Sequence, residues 1–273
     1  MRQARKLGYE CFEICMTKER GGNSSKGVTD SLGIDSYFNP IFNIESKEKD
    51  FKEVISIADG EGIKITGVGG ILSFSTYPIT SEITEVRENG INALNKMVEA
   101  AATIGADTVL VIPGMMTADM DYLEGYKRAQ DAIAKVAVNA DKFDVQLAVE
   151  NVWNNYLYSP LELNRFVDEI DNEKVGVYFD IANARIFGFP EQWIKTLGKR
   201  IKKLHVKDFR VSVGNITGFT NLLDGDVDYP AVMKALNDIG YGGELVVELI
   251  PPPKYCIEEY LSSAGRVLDV LTK

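Results

Sequence analysis

The sequence has only one histidine, three cysteines and two tryptophans among its 273 residues. The cysteines form an odd, sparse set without zinc-site spacing, which favours a reducing compartment over a disulfide framework. No apolar run approaches the roughly 20 residues that a membrane helix needs, and no apolar signal segment follows the basic N-terminus. We therefore expect a cytoplasmic protein with no membrane partner.

Basic residues are also scarce, since 30 lysines and arginines stand against 40 aspartates and glutamates, for a net charge of −10 at pH 7. Binding to nucleic-acid phosphates relies on clustered basic residues, so this balance argues against a nucleic-acid partner. It does not argue against phosphorylated metabolites, which local basic groups can bind. The apolar fraction of 45% is ordinary for a soluble protein.

Short apolar runs alternate with longer amphipathic segments along the chain. This alternation predicts an α/β fold, a parallel sheet covered by helices, and the length suits one barrel domain over residues 1–273. The predicted strands are 11–16, 63–67, 108–112, 146–151, 176–180, 201–206 and 244–249. The predicted helices are 48–60, 84–104, 121–142, 160–170, 190–198, 229–239 and 256–272.

The pattern provides seven strands, whereas a complete (β/α)8 TIM barrel has eight. Residues 4–9 read as the end of a helix leading into the first predicted strand. We therefore expect a TIM barrel that lacks its first strand at the N-terminus, truncated before strand 2. Because an open barrel exposes two unpaired edges, we expect marginal stability or a homo-oligomer, a dimer or tetramer, that covers the gap.

Four consecutive predicted strands end in side chains that can bind a metal, namely Glu150, Asp180, His205 and Glu248. The C-terminal ends of barrel strands meet at one rim, where active sites lie. Burying three carboxylates together is costly unless a cation compensates them, so we predict one divalent metal ion bound by these residues. Three carboxylates and an imidazole suit Mn²⁺ or Mg²⁺, with Co²⁺, Fe²⁺ and Zn²⁺ as alternatives.

Taken one at a time, these residues have structural explanations. A single histidine is often packed in a core or exposed at the surface. An acidic residue at a strand end often caps the following helix. It is the joint placement on four successive strand ends that favours a metal site.

These residues and their neighbours resemble the xylose isomerase-like barrel superfamily. The resemblance is carried by the segments 150–154, 179–183, 205–209, 222–230 and 246–248. It is closest to sugar and sugar-phosphate isomerases and epimerases of the ketose 3-epimerase and L-ribulose (L-xylulose) 5-phosphate 3-epimerase group. It runs from about Leu7 to the C-terminus.

The resemblance implies that the same four residues are the metal ligands and that Glu150 and Glu248 are also catalytic. One glutamate would remove the proton from C3 of a ketose or ketose 5-phosphate, and the other would return a proton to the opposite face of a metal-stabilised enediolate. Many relatives have a substrate-binding histidine three residues after the metal-binding aspartate. This chain has Asn183 there, which can hydrogen-bond a hydroxyl but cannot carry a proton charge.

Two further residues are candidate substrate contacts by position. Arg210, five residues after His205, could reach substrate oxygens or a phosphate, with an exposed surface arginine as the alternative. Trp153 could form an aromatic wall against a sugar, with core packing as the alternative. Lys207 and Asp208 point to alternate sides of the chain, so at most one of them faces the pocket.

The glycine-rich segment 21–27 follows the first predicted strand. It could present backbone amides and Lys26 to a phosphate. Because it lacks a known phosphate-loop spacing, we interpret it as a mobile loop.

The sequence leaves several functions open. The first is the C3 epimerase, and an aldose–ketose isomerase of the hexulose-6-phosphate or hydroxypyruvate isomerase type would use the same enediolate chemistry. A metal-dependent dehydratase of a keto-inositol is a third enzyme, and a non-catalytic sugar-binding protein is the alternative of another class. A DNA-repair endonuclease on this barrel would need several zinc ions and a basic surface, which one histidine and a charge of −10 oppose.

Overall fold

Strands and helices alternate in the protein as the hydrophobic pattern predicts, and the computed structural model describes residues 1–18, 39–249 and 256–273. The strands are β1 (Cys11–Cys15), β2 (Lys64–Gly69), β3 (Thr108–Val111), β4 (Gln146–Glu150), β5 (Val175–Asp180), β6 (Ile201–Val206), β7 (Asp208–Phe209), β8 (Phe219–Thr220) and β9 (Leu245–Val247). The helices are α1 (Arg2–Lys6), α2 (Glu48–Glu61), α3 (Thr84–Ile104), α4 (Tyr122–Phe143), α5 (Pro160–Asp168), α6 (Ile181–Arg185), α7 (Pro190–Leu197), α8 (Tyr229–Asp238) and α9 (Ile257–Leu271).

Seven strands form one parallel sheet in the order β1-β2-β3-β4-β5-β6-β9, and helices surround it. This nearly closed parallel sheet is that of a TIM barrel and confirms the predicted fold class. β7 and β8 form a separate antiparallel pair, which the sequence pattern did not predict. Among the described helices, none combines the length and apolar composition needed to cross a membrane.

The two edges of the barrel sheet are β1 and β9, which do not pair with each other in the described part of the chain. A cavity of about 760 Å³ lies here, and residues on both sides line it, including Glu10, Cys11, Glu244 and Leu245. The residues of β9 are only half-buried, whereas every residue of β5 is buried. Two expectations stay predictions. One is that a homo-oligomer covers the gap between β1 and β9, and the other is that residues 1–273 form one domain.

Helix boundaries follow the local sequence signals. Pro160 and Pro190 open α5 and α7, where a proline loses no helical hydrogen bond. Gly105 ends α3 with a left-handed backbone, φ 79°, which glycine adopts without steric cost. The buried side of α3 includes Leu94 and Met97, at the helical spacing that directs one face toward the sheet.

The loop that follows the β7–β8 pair is held by one carboxylate. Asp208 is fully buried, and its two oxygens accept hydrogen bonds from the backbone N–H groups of Phe209 (2.8 Å), Leu223 (2.9 Å), Gly225 (3.1 Å) and Val227 (3.3 Å). A Cβ atom on Gly225 would lie 2.1 Å from an Asp208 oxygen, so the loop approaches too closely for a larger residue. The carboxylate thereby fixes this loop beside the end of β6.

We expect Asp208→Ala to lower the free energy of unfolding by about 2–4 kcal/mol, because several N–H groups lose a charged acceptor at once. Asp208→Asn should lower the free energy of unfolding by less, because the amide oxygen of the asparagine can still accept hydrogen bonds from the backbone. Urea denaturation measures both values. Asp224→Ala, an exposed change on the same loop, is the control and should stay within about 0.5 kcal/mol; an equally small effect at Asp208 would contradict the assignment.

Candidate metal centre

The four residues predicted as metal ligands lie together at the C-terminal end of the barrel sheet. Glu150 ends β4, Asp180 ends β5 and is paired in register with His205 of β6, and Glu248 follows β9 directly. The N–H of Glu248 donates to the carbonyl of Val206 at 3.1 Å, which continues the ladder and fixes this residue at the rim. One potential ligand atom from each of the four lies within 4.8 Å of the others.

The imidazole nitrogen Nδ1 of His205 faces the three carboxylates. It lies 3.2 Å from Glu150 Oε1, 3.6 Å from Glu248 Oε2 and 3.9 Å from Asp180 Oδ2. Two ligands at about 2.1 Å from one ion can be at most about 4.2 Å apart, so the cluster is close to the spacing that a divalent ion requires. Its three oxygen donors and one nitrogen donor fit such an ion, and the cluster could hold one.

The two oxygens of Asp180 serve different purposes. Oδ1 accepts a hydrogen bond from the backbone N–H of Asn183 at 2.7 Å and so caps helix α6. This is the capping role that the sequence offered as the alternative for an acidic residue at a strand end. Oδ2 faces His205. The backbone of Asp180 is held by the amide of Asn151, which accepts from its N–H (2.8 Å) and donates to its carbonyl (2.9 Å). Capping and metal binding are therefore compatible at this residue.

Lys207 is a buried cation inside the cluster. Its Nζ lies 2.6 Å from Glu248 Oε2, 3.2 Å from Asp180 Oδ2 and 4.4 Å from the centre of the Phe219 ring. Of the two adjacent residues that sequence reasoning left open, Lys207 faces the site and Asp208 supports the loop. Strand alternation from His205 indicates this choice, because residues two apart share a face.

Glu13 is a member of the site that sequence reasoning missed. It lies on β1, and its Oε1 is 3.4 Å from Nε2 of His205, on the opposite edge of the ring from the other carboxylates. Its Oε2 accepts a hydrogen bond from the hydroxyl of Tyr178 at 2.8 Å. The available signal was a charged residue in the middle of the otherwise apolar run Cys11–Cys15.

The charges in this cluster shift one another's protonation. Burial raises the pKa of Glu150 to about 7. Burial also acts to raise the pKa of Glu248, but Lys207 and His205 outweigh it and hold this pKa at about 2. Burial lowers the pKa of His205, whereas the surrounding carboxylates, Glu248 and Glu13 foremost, raise it by more, so that it lies well above its usual value.

The three predicted substrate contacts have different positions. Trp153 stacks on Phe219 with ring centres 5.1 Å apart, and its indole N–H donates to the carbonyl of Asn183 at 3.1 Å. Asn183 is buried, and within the described residues its side-chain amide has no hydrogen-bond partner. Arg210 is exposed, and its Nε donates to the carbonyl of Asp224 at 2.9 Å.

The glycine-rich segment 21–27 with Lys26 lies outside the described residues. Its interpretation as a mobile loop therefore stays a prediction. The substrate-binding roles of the three residues above stay predictions in the same way.

We expect binding of a divalent ion at this centre to release protons and to weaken as the pH falls. The pKa of Glu150, raised to about 7, means that this carboxyl group holds a proton below about pH 7, and the raised pKa of His205 means that its imidazole also holds a proton more tightly than usual. Each must lose this proton to act as a ligand. Each proton released changes the affinity by up to about tenfold per pH unit. Calorimetric titration with Mg²⁺ or Mn²⁺ in buffers of different ionisation enthalpy counts the protons, and an affinity that is constant between about pH 6 and about pH 8 would contradict this.

Comparison with known proteins places this site in a family. The family model described as xylose isomerase-like TIM barrel matches residues 1–262. The chain is 25% identical to the inosose isomerase of Bacillus subtilis, over 67% of this chain and 69% of that protein. It is also 25% identical to the putative L-ribulose-5-phosphate 3-epimerase SgbU of Escherichia coli, over 67% of each protein.

The matched part of the chain does not span the whole of these relatives. The uncharacterised protein MJ1311 of Methanocaldococcus jannaschii is 24% identical over 64% of this chain, which is 61% of its own length. Among solved structures, a D-tagatose 3-epimerase-like protein has a TM-score of 0.76 at 19% identity, over 100% of this chain and 91% of that chain. The IOLI protein with a binding zinc atom has the same TM-score and identity, over 99% of this chain and 91% of that chain.

At these identities the solved structures show the fold alone. The names of the curated relatives support the prediction of a sugar isomerase or epimerase, and the resemblance seen in the sequence is confirmed. Since the family model covers 262 of the 273 residues, the chain belongs to the xylose isomerase-like TIM barrel family.

Proposed function

We propose that the protein is a metal-dependent epimerase that acts at C3 of a ketose or a ketose 5-phosphate. The observation that carries this proposal is that two glutamates from different strands face Nδ1 of one imidazole, Glu150 at 3.2 Å and Glu248 at 3.6 Å. Glu150 belongs to β4 and Glu248 follows β9, and two strands separate these in the sheet. The two carboxylates therefore approach the centre from different sides, as proton transfer on opposite faces of a carbon requires.

Each residue of the centre has a defined task in this reaction. A divalent ion bound there would stabilise the negative charge that develops on the substrate oxygen when the C3 proton leaves. One glutamate takes that proton and the other returns one to the opposite face, and the two exchange tasks for the reverse direction. Asp180 and His205 complete the ligand set, and Lys207 offsets part of the carboxylate charge.

The remaining parts of the proposal concern the ion, the substrate and the setting. Mn²⁺ or Mg²⁺ suits the oxygen-rich donor set. Trp153 would provide an apolar face for the sugar, Asn183 would hydrogen-bond a hydroxyl, and Arg210 would contact an oxygen or a phosphate at the rim. We further propose a cytoplasmic homo-oligomer, a dimer or tetramer, with a small sugar as its only ligand besides the ion.

A second candidate is a reaction on a keto-inositol. Relatives named inosose isomerase and inosose dehydratase favour it, the latter including a protein from Geobacillus thermodenitrificans that is 31% identical over 34% of this chain. Asn183 stands at the position where many ketose epimerases have a histidine, so this chain departs there from the ketose epimerase pattern. Both reactions begin with removal of a proton next to a carbonyl, so the product distinguishes them.

Proton NMR in D₂O tests the proposal. The protein with Mg²⁺ is incubated with a panel of ketoses, ketose 5-phosphates and an inosose. We expect deuterium at C3 together with the epimeric ketose. Deuterium at C1 with an aldose product would indicate an aldose–ketose isomerase. Loss of water from the inosose would indicate a dehydratase. No exchange with any compound would indicate a sugar-binding protein.

Glu248→Gln should reduce C3 proton exchange by about 10²- to 10⁴-fold, because an amide cannot accept the proton. Its oxygen can still face the ion, so metal should bind, though more weakly. Exchange is measured by NMR and metal binding by calorimetry on the same samples. Glu99→Gln, an exposed change on the outer helix α3, is the matched control, and a Glu248→Gln rate equal to that of this control would exclude Glu248 from proton transfer.

A further inference from the structure

We propose that Glu13 is a positioning residue that orients His205, so that Nδ1 of the imidazole faces the metal and Nε2 carries the proton. This inference rests on the proposed metal-dependent function of the same site. It assigns a role to a residue outside the set of four ligands. It also specifies which of the two ring nitrogens binds the ion.

The two edges of the imidazole face different carboxylates. Nδ1 points to the ligand set, with Glu150 Oε1 nearest at 3.2 Å. Nε2 points to Glu13 Oε1 at 3.4 Å, slightly beyond the usual N–H···O distance. Metal-binding histidines usually donate their other ring N–H to a carboxylate, which fixes the tautomer and the ring orientation. Glu13 occupies that position.

Glu13 is itself fixed by Tyr178. The Tyr178 hydroxyl donates to Glu13 Oε2 at 2.8 Å, and its ring lies against the imidazole with centres 4.3 Å apart. Tyr178 is fully buried on β5, two residues before Asp180, so both side chains share the inner face of that strand. The three side chains therefore form a continuous contact from β5 through β1 to β6.

The neighbouring strand leaves room for the Glu13 side chain. Glu13 pairs in register with Gly67 of β2, and Gly69 lies two residues further along the same face. A Cβ atom at Gly67 would lie 2.9 Å from Glu13 Oε2, and one at Gly69 would lie 3.0 Å from Oε1. A side chain at either glycine would press on the carboxylate. The conformation of Glu13 on β1 therefore depends on the two glycines of β2.

In a purely structural role, Glu13 would accept the hydrogen bond from the Tyr178 hydroxyl without orienting His205. With such a role, replacing Glu13 would change the stability of the protein but would leave the protonation and the metal binding of the His205 imidazole unchanged. The two roles can be separated because His205 is the only histidine in the chain. Every imidazole signal of protein without a histidine tag therefore comes from this residue.

The experiment is ¹H–¹⁵N NMR of ¹⁵N-histidine-labelled protein, with long-range correlations that identify each ring nitrogen. We expect a slowly exchanging Nε2–H signal in the wild type, and on titration with Zn²⁺ a shift of Nδ1 that marks it as the bound nitrogen. Glu13→Leu should lose the protected Nε2–H signal and weaken Zn²⁺ binding by about 10- to 100-fold. Glu13→Gln keeps an acceptor oxygen and should retain the signal, as should Tyr178→Phe.

Two outcomes would overturn the inference. One is a protected Nε2–H signal and wild-type Zn²⁺ affinity in folded Glu13→Leu protein. The other, which needs no variant to fold, is a spectrum of the Zn²⁺-bound wild type in which Nδ1 carries the proton or Nε2 binds Zn²⁺. Failure of the wild type to bind any divalent ion would instead contradict the proposed function, and the Nε2–H signal would still decide the role of Glu13.

Discussion

Four carboxylates, those of Glu13, Glu150, Asp180 and Glu248, surround one imidazole at the inner rim of the barrel. Removing such charges from water costs several kcal/mol for each ion unless cations compensate them. Lys207 provides one positive charge among them. The remaining excess of negative charge is what makes a divalent cation the natural occupant.

The barrel supplies the geometry for this cluster through strand register. Asp180 is paired with His205 across β5 and β6, and β9 continues the ladder so that Glu248 reaches the same rim. Because successive residues of a strand alternate between faces, Lys207 shares the inner face with His205 while Asp208 turns away to hold the loop. One sheet thus positions the four candidate ligands and the buried cation Lys207.

Much of this could be predicted from the sequence, because the signals are local. Seven strands, and the four metal-capable residues at strand ends, follow from short apolar runs and from the residue that ends each run. The helix Ile181–Arg185 and the β7–β8 pair escaped prediction because elements this short carry no periodicity. Glu13 escaped because its role depends on Tyr178 and His205, which are 165 and 192 residues away in the chain, and strand packing alone brings them together.

The central claim is that one divalent ion is bound by Glu150, Asp180, His205 and Glu248. Electron spin echo spectroscopy of Mn²⁺-loaded protein without a histidine tag tests it most directly, because the chain offers a single imidazole. We predict one Mn²⁺ per chain with one directly coordinated imidazole nitrogen, whose coupling changes on ¹⁵N-histidine labelling. Mn²⁺ bound without any nitrogen coupling, or no bound Mn²⁺, would contradict the account.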